Sequence, residues 1–121
     1  MTAVKEVENA VHRIIRDTQM AQSVNATAPN GFPLTLTWVA WNNTSNNVTY
    51  SVQNGQLQRN YSLNGGQPTK TAVVPHINPD PALTSCNFTS GVLAFKITAT
   101  IGGSRPASET RSFEVIPRAI P

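Results

Sequence analysis

Charge is scarce in this chain: nine lysines and arginines and six aspartates and glutamates make up 12% of its 121 residues. With Asn, Thr and Ser abundant, that composition is commoner in exported, surface-exposed β-proteins than in cytosolic enzymes. Cysteine is scarcer still. Cys86 stands alone, which excludes an internal disulfide and fits a small buried hydrophobe. No apolar run approaches the roughly 18 residues that a membrane span requires. There is no Cys-x-x-Cys, no paired histidine spacing and no acidic calcium loop, so neither a metal nor a cofactor is expected. Asn78 and Asp80 offer two side-chain oxygens across Pro79, too few for calcium. Gly65-Gly66 and Gly102-Gly103 lie between strand patterns and open no helix, so they read as turns and not as phosphate cradles.

What the chain does have is one helical pattern in front of many short strands. Val4, Val7, Val11, Ile14, Thr18 and Ala21 recur three and four apart, with Ile15 beside them, and predict an amphipathic helix over about 2–24. Thr2 is its candidate N-cap. Lys5, Glu6, Asn9, His12, Arg13 and Arg16 form the opposite, solvated arc, where Glu8–His12 and Arg13–Asp17 sit one turn apart. The turn formers Ser23, Asn25, Thr27, Pro29, Asn30, Gly31 and Pro33 end the helix.

Strand alternation begins at Leu34 and continues to about 117. Leu34, Leu36, Trp38 and Ala40 share one face of the first strand, opposite Thr35, Thr37 and Val39. Asn47–Gln53 alternates again, Asn54-Gly55 predicts a type I′ hairpin, and Gln56–Leu63 returns. After Thr69–Val74, the prolines 75, 79 and 81 break the pattern into a loop around 76–82, expected to be mobile. Ser85–Thr89 and the strand carrying Leu93, Phe95, Ile97, Ala99 and Ile101 flank a turn at Ser90-Gly91, and the latter strand is expected at the centre of the sheet. A turn at 102–106 and a strand over Ser108–Ile116 close the chain. The length suits one domain, 1–121.

Three stretches carry a resemblance: the helix end Ala21-Gln22-Ser23-Val24; the hairpin from Val48-Thr49-Tyr50 through Asn54-Gly55 to Leu57-Gln58-Arg59; and the closing Ser112-Phe113-Glu114-Val115-Ile116-Pro117-Arg118. The chain resembles the soluble part of type IV pilin-like proteins, more narrowly minor pilins and the J-type minor pseudopilins of type II secretion systems. The resemblance implies an α+β fold in which a long N-terminal amphipathic helix packs on an antiparallel sheet of meandering hairpins. It also implies a prepilin whose leader, processing site and apolar half-helix precede the helix seen here. None of those is in this sequence, and the abrupt start behind Met1 carries the expectation that they were removed. The implied protein is a structural subunit of the cell envelope or extracellular filament, anchored in the inner membrane before assembly. It has no enzymatic role, its partners are other pilin or pseudopilin subunits, and it takes no small-molecule substrate. Val11, Ile14, Ile15, Thr18 and Ala21 would pack on the sheet, while Val4, Lys5, Val7 and Glu8 would approach neighbouring subunits.

The residues admit other readings. His76, Asp80 and Cys86 form the one sequence-local trio with catalytic chemistry, but no helix N-terminus follows Cys86 to activate it. The net charge of +3 and pI of 9.5 allow nucleic-acid binding, yet Arg59, Lys70, Lys96, Arg105, Arg111 and Arg118 are scattered over different elements. Arg59 is expected to stack on an aromatic or to pair with Glu114. Six Asn-x-Ser/Thr triplets, at Asn25, Asn42, Asn43, Asn47, Asn60 and Asn87, accompany the Asn and Thr richness. Trp38 and Trp41 cannot both face the core of a regular strand. Trp41 is expected to close its end; exposed, it would anchor a sugar or a protein partner. The alternative architecture is a secreted or surface β-sandwich binding module, adhesin-like, whose loops hold a ligand.

Overall fold

The computed structural model describes residues 3–27, 31–78, 80, 83–101 and 107–117. Thr2, Pro29, Asn30, Pro79, Pro81, the turn at 102–106 with Arg105, and Arg118 lie outside the described residues, as do the side chains of Val4 and Ile101.

The helix α1 spans Ala3–Met20 and is followed by eight strands: β1 (Ser23–Thr27), β2 (Gly31–Val39), β3 (Ser45–Gln53), β4 (Gln56–Leu63), β5 (Thr69–Val74), β6 (Ser85–Thr89), β7 (Val92–Ile101) and β8 (Ala107–Val115). They form two antiparallel sheets, β1-β2-β3-β4-β5 and β6-β7-β8. This corrects the expected α+β fold of a long helix lying on one sheet. The helix is shorter than its pattern suggested, strands dominate the chain, and α1 touches β2 and β5 of the larger sheet as well as β7 and β8 of the smaller one.

The early end of α1 has a local cause. The Ala21 amide donates to the Thr18 carbonyl at 3.1 Å, tightening the last turn, and the next amide, Gln22, donates instead to the Thr37 carbonyl of β2 at 2.8 Å. From there Ser23, Asn25 and Thr27, poor helix formers, run along β2 in the register Ser23↔Thr37 to Thr27↔Gly31. Gln22 secures the junction by accepting a hydrogen bond from the Val39 amide at 2.8 Å. Ser23, Asn25 and Thr27, expected among the turn formers that end the helix, therefore build a strand.

The Asn54-Gly55 hairpin pairs Gln53 with Gln56, and both turn residues have positive φ, 54° and 70°, as a type I′ turn requires. Ser90-Gly91 repeats the arrangement with φ of 52° and 79° between β6 and β7. The long strand β7 is the centre of the three-stranded sheet, and Phe95 stacks on Phe113 of β8 with centroids 5.0 Å apart.

One apolar core serves both sheets. Val7, Ala10 and Ile14 from the helix meet Leu34, Leu36, Val48, Tyr50, Leu57 and Val74 from the larger sheet and Leu93, Phe95, Ile97 and Ala99 from the smaller. At one side the sheets approach through β6 against β1 and β2. There the Cys86 thiol donates to the Gly31 carbonyl at 3.2 Å. The start of the loop expected to be mobile is stitched onto β7: Asn78 N donates to the Thr98 carbonyl and Thr100 N to the His76 carbonyl, at 2.9 and 2.8 Å.

Candidate functional site

Two buried carboxylates fasten the helix, one near each end. Near the C-terminal end Asp17 is almost fully enclosed and accepts from three donors on the β3–β4 hairpin. Arg59 reaches it bidentately, Nε to Oδ2 at 2.8 Å and Nη2 to Oδ1 at 3.0 Å, and the Tyr50 hydroxyl donates to Oδ2. Hairpin register creates this pair of donors, because Tyr50 of β3 lies directly opposite Arg59 of β4. Arg59 also lies over the Tyr61 ring, 5.2 Å from its centroid, and Tyr61 donates to Asn46 Oδ1 at 2.5 Å.

The electrostatics favour a proton-fixed clasp. Burial first, then the negative charge of Asp17, drives the Tyr50 hydroxyl far above its usual range, so it remains a donor. Burial works against the Arg59 charge, but the hydrogen bond to Asp17 and its negative charge outweigh it and raise the guanidinium above its ordinary value. Asp17 thus pairs with Arg59, forty-two positions away, and not with Arg13 on the same helix. Arg59 stacks on an aromatic as expected, but its carboxylate partner is Asp17 and not Glu114.

Near the N-terminal end, Glu6 is fully buried, unlike the solvated role expected for it. It accepts from the His76 backbone amide at 3.1 Å, and its Oε2 lies 2.9 Å from His76 Nδ1. A carboxylate in the first helical turn also faces the positive end of the helix dipole. Glu8 pairs with Arg111 of β8 at 3.3 Å and not with His12.

The expected helix-face residues divide. Ile14, Thr18 and Ala21 are fully buried, Ala21 just beyond the helix, while Val11 and Ile15 are half-buried. Among the expected subunit contacts, Lys5 and Glu8 are exposed, but Val7 is wholly buried. That corrects its assignment as an interface residue: it faces the chain's own core and offers nothing to a neighbour.

The sequence-local trio is not brought to one purpose. His76 engages Glu6, and the Cys86 thiol, which burial pushes up to about 12, faces Gly31. Asn78 spends its Oδ1 on the Asp80 amide. Among the described residues no group of three His, Cys, Asp or Glu side chains stands close enough to hold a metal ion. Trp38 is buried, but Trp41 is 96% exposed and does not close the core. It sits at the β2–β3 turn, where the Asn43 amide donates to the Ala40 carbonyl and lifts the chain off the strand.

A groove of about 450 Å³, lined by Asn9, His12, Arg13 and Arg16 of α1 and by Thr71–Val73 and Pro75 beside them, went unforeseen. Its signal was present: those helix residues follow the i, i+3, i+4, i+7 spacing of a single stripe.

Among the described residues no helix is long and apolar enough to cross a membrane. No protein-family model, curated protein or solved structure compared with this chain matches it.

Proposed function

We propose that this chain is a structural subunit, a minor pilin or pseudopilin, of a type IV pilus or type II secretion-like filament in the cell envelope. It acts by packing against sibling subunits. The observation that carries this reading is the double fastening of α1: Asp17 held by Arg59 and Tyr50, and Glu6 held by His76. A subunit held in a filament through its helix must transfer load from that helix to its β domain. Separating the helix from the β domain has to break the bidentate Asp17–Arg59 pair with its Tyr50 hydrogen bond and the Glu6–His76 contacts together with the apolar packing around them, which is what supports a load-bearing role. The exposure of Lys5 and Glu8 near the start of the helix supports their assignment as subunit contacts.

The test begins with the reading frame upstream of Met1 and the pilin-like genes beside it. A glycine-rich processing site followed by an apolar run, and crosslinking of a Lys5→Cys variant to a co-expressed sibling subunit, are the expected results. A native start at Met1 with no sibling contact would overturn the reading.

The exposed Trp41 favours a second reading, a surface β-module that binds through its loops. Retention on a polysaccharide or protein column, lost in Trp41→Ala, would favour it over the first.

A further inference from the structure

We infer that the groove between α1 and β5 is a docking site for an acidic, extended polypeptide segment, which adds to the edge of the larger sheet. Three features converge there. First, among the described residues β5 is an edge strand whose one ladder partner is β4, so that its outer edge has no strand beside it there, and residues 69–72 are exposed. Second, the wall facing that edge is cationic: Arg13 and Arg16 are exposed, line the groove one turn apart, and make no ion pair within the described residues. His12 lies beside them, and Lys70 stands on the strand itself. Third, among the described residues no carboxylate lines the groove, whereas Asp17, Glu8 and Glu109 are engaged with arginines elsewhere and Glu6 with His76.

The chemistry selects the occupant. Two arginines that are always charged attract an anion, and guanidinium groups suit carboxylates bidentately. A free strand edge selects an extended backbone over a compact polyanion, by strand addition. Lys70 deters the uncharged, flat strands that would otherwise aggregate on such an edge, and at the same time admits an acidic one. The groove volume lies within the range of about 300–1,000 Å³ usual for ligand sites.

The test uses the whole chain and a fluorescent probe peptide alternating glutamate with valine, followed by anisotropy at low and physiological salt. Binding is expected to weaken with salt and to fall by about tenfold or more in Arg13→Glu/Arg16→Glu, the loss reading mainly as faster dissociation. Circular dichroism checks that the variant, changed at two exposed positions, keeps its fold. The same peptide N-methylated on alternate backbone amides keeps its charge but loses strand pairing, and is expected not to bind. Equal binding of the N-methylated peptide would overturn the proposal. So would equal or tighter binding of a DNA oligonucleotide or of phosphatidylglycerol vesicles, either of which would make the groove a general anion surface.

Discussion

Arg59 grips Asp17 through two hydrogen bonds of 2.8 and 3.0 Å although the residues lie on the second strand of a hairpin and the last turn of the helix. Asp17→Ala would strand a guanidinium with a side chain only 13% exposed and the Tyr50 hydroxyl together, so a loss of about 3–5 kcal/mol is expected. Tyr50→Phe removes one donor while Arg59 still serves the carboxylate, and about 1 kcal/mol is expected. Urea unfolding of the two variants checks the order. Equal losses would mean that the arginine contributes little.

The seam between the sheets is equally specific. A Cβ at Gly31 would run into the backbone carbonyl of Cys86 and lie 2.5 Å from its sulfur, and Gly31 has φ of 90°, where side chains are strained. Gly31→Ala is therefore expected to cost about 3 kcal/mol or more, since backbone cannot give way as a flexible side chain can. Cys86→Ala alone should be milder. The double variant should not recover the Gly31→Ala loss, because the carbonyl clash persists; recovery would place the conflict at the sulfur. Thermal melts of the three proteins decide it.

Alkaline pH should loosen the fold before acid does anything comparable at these two groups. The Cys86 thiol has an ordinary value of 9.0 and is held protonated by burial up to about 12. Between those values the unfolded chain binds fewer protons than the folded one, so the contribution is complete below pH 9.0 and falls by roughly 1 kcal/mol per pH unit as pH rises towards 12. Tyr50, raised from 10.0 by burial and by Asp17, adds to the decline above pH 10.0. Urea midpoints across this range, under reductant, should fall in the parent chain and begin falling later in Cys86→Ala. A flat profile would contradict the buried placement of both groups.

The two tryptophans separate cleanly. Trp38 is 9% exposed and Trp41 96%. Trp38→Ala is expected to cost about 3–5 kcal/mol and Trp41→Ala less than about 0.5. Emission from Trp41 should be that of a solvated indole, and acrylamide should quench it first. Protection of Trp41 in the isolated chain would show that the β2–β3 turn folds back on the domain.

Both tight hairpins were legible because their turns need positive φ and Asn-Gly and Ser-Gly supply it, while alternation marked Leu34, Leu36, Leu93 and Ile97 as core. The split into two sheets was not legible. It depends on which strands find hydrogen-bond partners, and alternation reports faces but never neighbours. Residues 23–27 misled because Ser, Asn and Thr mark turns by preference, whereas here β2 satisfies their backbone. Asp17 misled for a related reason: local spacing offered Arg13 one helical turn away, but the largely buried Arg59 of a distant strand outweighs an exposed partner held in water. Glu6 read as part of the solvated arc, because its contact with His76 exists only once the segment after β5 is laid against the helix. The helix groove residues were readable as a stripe, but the free edge facing them exists only once β5 is placed last in its sheet.

Thr18 supplies a sharper test of how α1 is seated. It is fully buried, and among the described residues its Oγ1 has no hydrogen-bond partner. An unmet hydroxyl of this kind lowers stability, because its bonds to water are lost on folding and nothing replaces them. Thr18→Val keeps the branched shape, so the surrounding packing with Ile14 and the core stays as it is. The substitution is expected to raise stability by about 1 kcal/mol, visible as a higher urea midpoint with an unchanged slope. Thr18→Ala, which removes the hydroxyl but also opens space, should gain less or lose. If Thr18→Val instead lowers the midpoint, the hydroxyl is bonded to a buried water. The helix would then rest on the sheets through a wet contact and not the dry one that Val7, Ala10 and Ile14 make above it.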